Sequence, residues 1–199
     1  MCMISERLPN RVILTDDPLR AKMLAAHHLE YSAPVFEQGD VFAFSGSYNN
    51  MPIALLSTGF GNDAIFNYLT EAKRLGATEI VFIGECISST ARYKLREVIL
   101  AAGGSRSLLQ RARDAALRFD IQATVRTVLP PEAAQPEDGC IIDGVSGGLY
   151  ERAKTEGVEA LSILTVTENT KTGEKAEEHE RRSRLYAASR LVFEALVFV

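Results

Sequence analysis

The sequence has no concentration of positive charge. Its 22 Lys and Arg residues are outnumbered by 26 Asp and Glu residues, which gives a formal net charge of −4. Proteins that bind DNA or RNA carry basic surfaces, often interleaved with aromatic side chains, that contact the phosphate backbone. The sequence contains no such block, which argues against a nucleic-acid polymer as a partner.

Cysteines and long hydrophobic runs are also scarce. The three cysteines, Cys2, Cys86 and Cys140, are an odd number at wide spacing. They indicate neither a disulfide framework nor a Cys-x-x-Cys metal site, and they favour a reducing cytoplasm. The first stretch, MCMISERLPN, lacks the apolar core of a signal peptide, and no window approaches the ~20 apolar residues of a membrane span. We therefore expect an intracellular protein with no membrane partner.

Apolar residues are abundant enough to form a sizeable core. Hydrophobic residues make up 46% of the 199-residue chain and charged residues 24%, as in ordinary globular proteins. The length predicts a single domain covering residues 1–199. Short β-rich runs alternate with segments of helical periodicity, and this alternation predicts an α/β fold, a three-layer sandwich with a central mixed sheet.

The pattern predicts individual elements along the chain. Strands are expected at 11–15, 77–84, 96–101, 121–129, 140–143 and 160–166, with a hairpin formed by VFAFSG and PIALLSTG. Helices are expected at 17–30, 62–76, 105–119, 146–156 and 179–197, with Asn62 as an N-cap. The stretches 130–139 and 167–178 are predicted to be loops.

Ligands of such folds bind where the strands end at their carboxyl edge. Four segments are candidates for that edge: 16–20, 57–61, 84–87 and 167–169. The first lies in TDDPLRAK, where proline in the first turn of a helix follows a strand. Such a turn directs free backbone N–H groups above the sheet and suits an anion.

Several stretches together resemble the nucleoside phosphorylase family, which includes purine nucleoside phosphorylases, uridine phosphorylases and related nucleosidases. DDPLRAK is similar to the family's GDPLRAK, and TEIVFIGEC to its central strand ending in RxGSCG. DGVSGGLYERAKTEGVEALSILTVTEN is similar to the family's EMEAAGIY region through VSDH. The resemblance covers most of the chain and implies cleavage of the N-glycosidic bond of a nucleoside.

The positions that hold phosphate in the family differ in this chain. The family uses a glycine and an arginine of the first turn, an arginine on the central strand, a serine after it, and an arginine from a neighbouring subunit. The matching positions here are Asp16, Arg20, Phe82, Glu85 and Gly39. Since only one arginine remains and two carboxylates are added, we expect Arg20 to pair internally with Asp16 or Glu85 and phosphate to be disfavoured.

The sugar and base positions are also altered. The family's glutamate that binds the ribose hydroxyls matches Val145, and Asp143 would replace it only if the backbone shifted. The family's acid, which protonates the leaving base, matches Glu168, and the arginine that assists it matches Arg181. Two interpretations remain open: either Glu168, assisted by Arg181, protonates the leaving base, or Glu168 and Arg181 form a loop-to-helix salt bridge without chemistry.

Other residues have alternative interpretations. Phe60, in Gly59-Phe60-Gly61, either packs against a sugar or lies in a turn where the glycines serve geometry alone. Cys86 could line a base pocket, but it has no evident His partner and is expected to be a small buried residue. His27 and His28 are adjacent on a helix and point in different directions, so we expect a packed or surface pair rather than metal ligands.

The leading hypothesis is an enzyme that acts on an N-glycosidic bond of a nucleoside or related metabolite. Hydrolysis is favoured because Asp16, Asp17 or Glu85 could orient a water in place of phosphate. The rival hypothesis is a ligand-binding or structural relative without catalysis. No cofactor or metal is implied, and the resemblance implies a homo-oligomer, either a dimer or a hexamer.

Overall fold

The structure is a computed structural model, and it describes residues 7–59, 61–134, 139–178, 180 and 186–198. The strands are β1 Arg11–Thr15, β2 Glu30–Gln38, β3 Val41–Tyr48, β4 Met51–Ser57, β5 Glu79–Ser88, β6 Val98–Ala101, β7 Ala123–Arg126, β8 Val128–Leu129, β9 Ile141–Ile142, β10 Glu159–Asn169 and β11 Glu174–Lys175. The helices are α1 Pro18–His28, α2 Asn62–Arg74, α3 Arg106–Arg118, α4 Ser146–Glu156 and α5 Tyr186–Val197.

The strands form one mixed sheet in the order β2-β3-β4-β1-β5-β10-β6-β7, with β8, β9 and β11 attached at the side. Four neighbours, β4, β1, β5 and β10, run parallel, while β2–β3, β3–β4 and β10–β6 are antiparallel. This confirms the predicted α/β sandwich. The apolar run in β5 lies centrally between β1 and β10, as strands buried on both faces do.

Helices cover both faces of the sheet. On one face, α2 and α4 pack through residues such as Leu69 and Leu149, and on the other face α1, α3 and α5 pack through residues such as Leu24, Leu108 and Phe193. Gly148 lets α4 approach α2 closely, since a Cβ there would lie 2.3 Å from the Phe66 ring. None of the helices in the described residues is both long and apolar enough to cross a membrane.

Several predicted elements need correction. Strand β2 was not predicted, because most of its residues are exposed and give no alternating apolar pattern. The predicted strand 121–129 is two strands, and the polar segment 167–178 contains the end of β10 and all of β11. The N-cap of α2 is Gly61 rather than Asn62. The predicted helix 179–197 is described from Tyr186 onward.

His28 predicts a pH dependence of stability. Its ring stacks on Phe193 with centroids 4.8 Å apart, and burial, with His27 and Arg190 nearby, lowers the pKa of His28 from 6.5. The unfolded chain therefore takes up this proton before the folded chain does, so stability is present above about pH 6.5 and is lost as the pH falls. We expect His28→Phe to lose less stability than the wild type between about pH 7 and 5 in urea unfolding. The same decrease in the free energy of unfolding between about pH 7 and 5 in both proteins would contradict this prediction.

Candidate active site

The candidate site lies at the carboxyl edge of the four parallel strands. Because β4, β1, β5 and β10 are neighbours, their ends bring the four predicted segments to one edge of the sheet. The sheet register places Glu85 opposite Thr165, and Thr15 opposite Ser57. The prediction that these segments share an edge is confirmed.

Arg20 is the central cation of this edge, and its side chain is 3% exposed. Nη2 donates to Oε1 of Glu85 at 2.6 Å, and Nη1 donates to Oδ1 of Asp16 at 3.0 Å and to Oγ1 of Thr15 at 3.3 Å. The expected internal pairing of Arg20 is confirmed, and it involves both carboxylates rather than one. Charge-assisted bonds of this length to a buried guanidinium hold both acids in place.

The N-terminus of α1 is occupied by the protein itself. Asp17 is the N-cap, and its Oδ1 accepts from the backbone N–H of Leu19 at 2.8 Å and of Arg20 at 3.3 Å. Pro18 has no N–H, and the Ala21 N–H donates to the Asp17 carbonyl at 3.1 Å. The first turn therefore offers no amide to an external anion, unlike the prediction made from the turn sequence.

Asp16 is in an unfavourable place for a charge. Burial raises the pKa of Asp16, Arg20 opposes that shift, and Glu85 adds to it. Its side chain is still 32% exposed, so it can be reached from solvent. Two carboxylates thus share one guanidinium, and the less buried of them binds its proton more tightly than an isolated aspartate does.

Phe82 and Cys86 lie beneath this edge. Phe82 is 1% exposed, and its ring contacts Gly84, where a Cβ would lie 2.3 Å away. Cys86 is 2% exposed, and burial raises the pKa of its thiol, as do Asp143 and Glu85. The thiol is therefore protonated and unsuited to be a nucleophile, in agreement with the expected small buried residue.

Asp143 organises the start of α4. Its two carboxylate oxygens accept from the backbone N–H of Val145 at 3.1 Å and of Ser146 at 2.7 Å, and the residue is 6% exposed. Both oxygens are thus engaged by the start of the helix, and the role of Asp143 toward sugar hydroxyls stays a prediction. Val145, which matches the family's sugar glutamate, packs against the hydrophobic core.

Glu168 lies past an irregularity in β10. The register with β5 shifts between Val166 and Glu168, and the intervening Thr167 donates from Oγ1 to Oε2 of Glu85 at 3.2 Å. Glu168 pairs with Lys175 of β11 at 2.8 Å and is 32% exposed. Phe60 and Arg181 lie outside the described residues, so their predicted roles stay predictions.

Sequence reasoning missed three features of the site. The N-cap role of Asp17 had a signal, because aspartate directly before a proline is a common helix start. Thr167 and Lys175 had none, because their contacts depend on the shift in β10 and on the pairing of β11. Gly59 and Gly61 both have positive φ, +73° and +111°, a backbone conformation that favours glycine, and the two interpretations of Phe60 stay open.

The chain is similar in sequence to bacterial purine nucleoside phosphorylases. It is 29% identical over 204 residues to a DeoD-type purine nucleoside phosphorylase of Psychromonas ingrahamii, and the alignment covers 86% of this chain and 86% of the relative. It is also 29% identical over 211 residues to the DeoD-type enzyme of Bacillus subtilis, with 90% of this chain and 91% of the relative covered. No protein-family model matches the chain.

A solved structure has the same fold. The crystal structure of purine nucleoside phosphorylase from Toxoplasma gondii in complex with immucillin-H matches with a TM-score of 0.86, covering 98% of this chain and 96% of that one. At 17% identity this likeness shows the fold alone. The sequence relatives confirm the resemblance to the nucleoside phosphorylase family along most of the chain.

Proposed function

We propose that this chain cleaves the N-glycosidic bond of a nucleoside and transfers the glycosyl group to water rather than to phosphate. The relatives named as purine nucleoside phosphorylases support glycosidic cleavage in general. The observation that carries the choice of water is the occupation of Arg20 by Asp16 and Glu85. The backbone N–H groups in the first turn of α1 cannot bind phosphate in place of Arg20, because Asp17 already caps them.

Charge makes phosphate a poor fit. One guanidinium faces two carboxylates, so an added phosphate would meet repulsion from both acids. A pair of unit charges at 4 Å interacts by about 4 kcal/mol at an effective dielectric of about 20. A modest-affinity anion site cannot offset repulsion of that size.

Water can be oriented by Asp16 or Glu85. Asp17 is excluded from this role because its carboxylate is already engaged by backbone N–H groups. Asp16 is the better candidate of the two because its raised pKa makes its carboxylate a stronger base and its side chain is partly exposed. Arg20 then positions both acids.

Glu168 is assigned the delivery of a proton to the leaving base. Breaking the glycosidic bond leaves negative charge on the base. A carboxylic acid in contact with the ring nitrogen neutralises that charge by donating its proton to the nitrogen. In the resting site the Glu168 carboxylate is ion-paired with Lys175 at 2.8 Å and is 32% exposed, so it takes its proton from solvent, delivers it to the leaving base and then returns to the ion pair. Arg181 is assigned the same supporting role and Phe60 a contact with the sugar, both from the sequence match alone, while Phe82 and Cys86 are buried beneath the edge.

A second candidate is a nucleoside-binding relative without catalysis. It is favoured by the absence of a sugar carboxylate at Val145, together with the engagement of both Asp143 oxygens by backbone N–H groups. Such a protein would bind a nucleoside without strengthening its contacts as the bond breaks. A homo-oligomer, dimer or hexamer, is expected for either candidate and stays a prediction.

Release of free base from a panel of purine and pyrimidine nucleosides tests the proposal, with each substrate incubated with and without phosphate. We expect release without phosphate and no acceleration when phosphate is added. Release that requires phosphate would contradict the electrostatic argument. Binding of a nucleoside without release would favour the second candidate.

A further inference from the structure

We propose that the Glu85 carboxylate occupies an oxyanion subsite built by the protein itself and thereby decides between water and phosphate. Arg20 and Thr167 hold the carboxylate, Thr165 lies opposite Glu85 on the adjacent strand, and Thr15 bonds to Arg20. The consequence for the acceptor rests on the proposed function, whereas the subsite itself does not.

Glu85 is held as a bound oxyanion would be held. Oε1 accepts from Arg20 at 2.6 Å, and Oε2 accepts from the Thr167 hydroxyl at 3.2 Å. Both donors are buried, with Arg20 3% and Thr167 7% exposed. A buried guanidinium and hydroxyl that converge on one carboxylate are the groups that proteins use to bind carboxylate or phosphate ligands.

Two further polar atoms near Glu85 have no hydrogen-bond partner within the described part of the chain. They are Nε of Arg20 and Oγ1 of Thr165, each in a side chain that is 3% exposed. Thr165 lies opposite Glu85 in the register of the adjacent strands, so both side chains project from the same face. Phosphate has more oxygens than a carboxylate, so it could satisfy donors that Glu85 leaves unpaired.

Thr15 completes the arrangement on the side of α1. Its Oγ1 accepts from Nη1 of Arg20 at 3.3 Å, which fixes the plane of the guanidinium. Shortening Glu85 would vacate the space in front of Arg20 and Thr167. At present two carboxylates, Asp16 and Glu85, face the one guanidinium of Arg20, and after this change only Asp16 would face it.

Calorimetric titration of inorganic phosphate into the full chain tests the proposal. We expect Glu85→Ser to bind phosphate at least about tenfold more tightly than the wild type, because one repelling charge is gone and its place is open. Thermal unfolding first establishes that the variant is folded. If it is not, Glu85→Thr, whose β-branched side chain suits a strand, carries the same expectation.

Two variants provide the controls. Glu151→Ser removes one negative charge from the exposed face of α4, away from this edge, and should leave phosphate binding as in the wild type. Arg20→Met combined with Glu85→Ser should abolish the gained binding. A folded Glu85 variant without a gain, an equal gain in Glu151→Ser, or a gain that survives loss of Arg20 would each overturn the subsite.

The phosphate titration can contradict the subsite without contradicting the proposed function, and the reverse also holds. Phosphate binding requires no catalysis, so a gain in Glu85→Ser supports the subsite even if the wild type releases no base. Conversely, hydrolysis by the wild type with no gain of phosphate binding in the variant would support the proposed function and overturn the role given to Glu85.

Discussion

Glu168→Gln is expected to reduce base release by about two to four orders of magnitude, the range that a positioned general acid contributes. Glutamine has nearly the same shape as glutamate but cannot donate a carboxyl proton to the leaving base. The ion pair with Lys175 is lost as well, yet Lys175 is 63% exposed, so the free energy of unfolding should change by less than about 1 kcal/mol. Steady-state rates and thermal unfolding measured on the same preparation separate the two effects.

Glu174→Gln is the matched control for this prediction. Glu174 lies on β11 next to Lys175 and is exposed, so its change removes the same charge without touching Glu168. We expect wild-type rates from it. If Glu168→Gln kept more than about a tenth of the activity, Glu168 would not be the acid.

Arg20→Met is expected to lower the free energy of unfolding by about 3 kcal/mol, because it leaves two partly buried carboxylates facing each other. The estimate is at the low end for buried ion pairs because Asp16 is 32% and Glu85 is 19% exposed. Urea unfolding at neutral pH measures it.

The same variant should have a characteristic pH dependence. Arg20 opposes the burial that raises the pKa of Asp16, so its removal raises that pKa further. A raised pKa in the folded state means that stability is present at low pH and is lost as the pH rises through that value. The difference between the variant and the wild type should therefore shrink as the pH falls toward about 4.

Arg152→Met is the control for the loss of a surface cation. Arg152 lies 3.9 Å from Glu156 on α4 and is 42% exposed, so we expect a change within about 0.5 kcal/mol. A loss in Arg20→Met no greater than in Arg152→Met, or one independent of pH, would contradict the buried network.

How far the site could be predicted depended on the kind of residue. Arg20 was predicted to pair internally because a cation placed among apolar strand ends needs an acid nearby, and the sequence offers Asp16 and Glu85 at those ends. Cys86 was predicted to be a small buried residue because it lies at a strand end and the sequence offers it no evident His partner. Asp143 was harder, since an aspartate near a helix start can cap the helix or bind a ligand, and the sequence pattern is the same for both.

Strand β2 shows the corresponding limit for the fold. Its residues pair with β3 through two register shifts, and most are exposed, so no alternation marks the strand. A β-strand of this kind exists because a neighbouring hairpin offers free backbone groups, which is information that lies elsewhere in the chain.

The sequence by itself determined the alternation of strands and helices and the set of residues at the carboxyl edge, because hydrophobic periodicity and helix start signals are local. Only the tertiary structure decided which donor serves which acid. The bonds that Glu85 accepts come from residues 65 and 82 positions away, Arg20 and Thr167. Their geometry depends on the parallel register of β1, β5 and β10 and on the shift at Thr167, which no local pattern encodes.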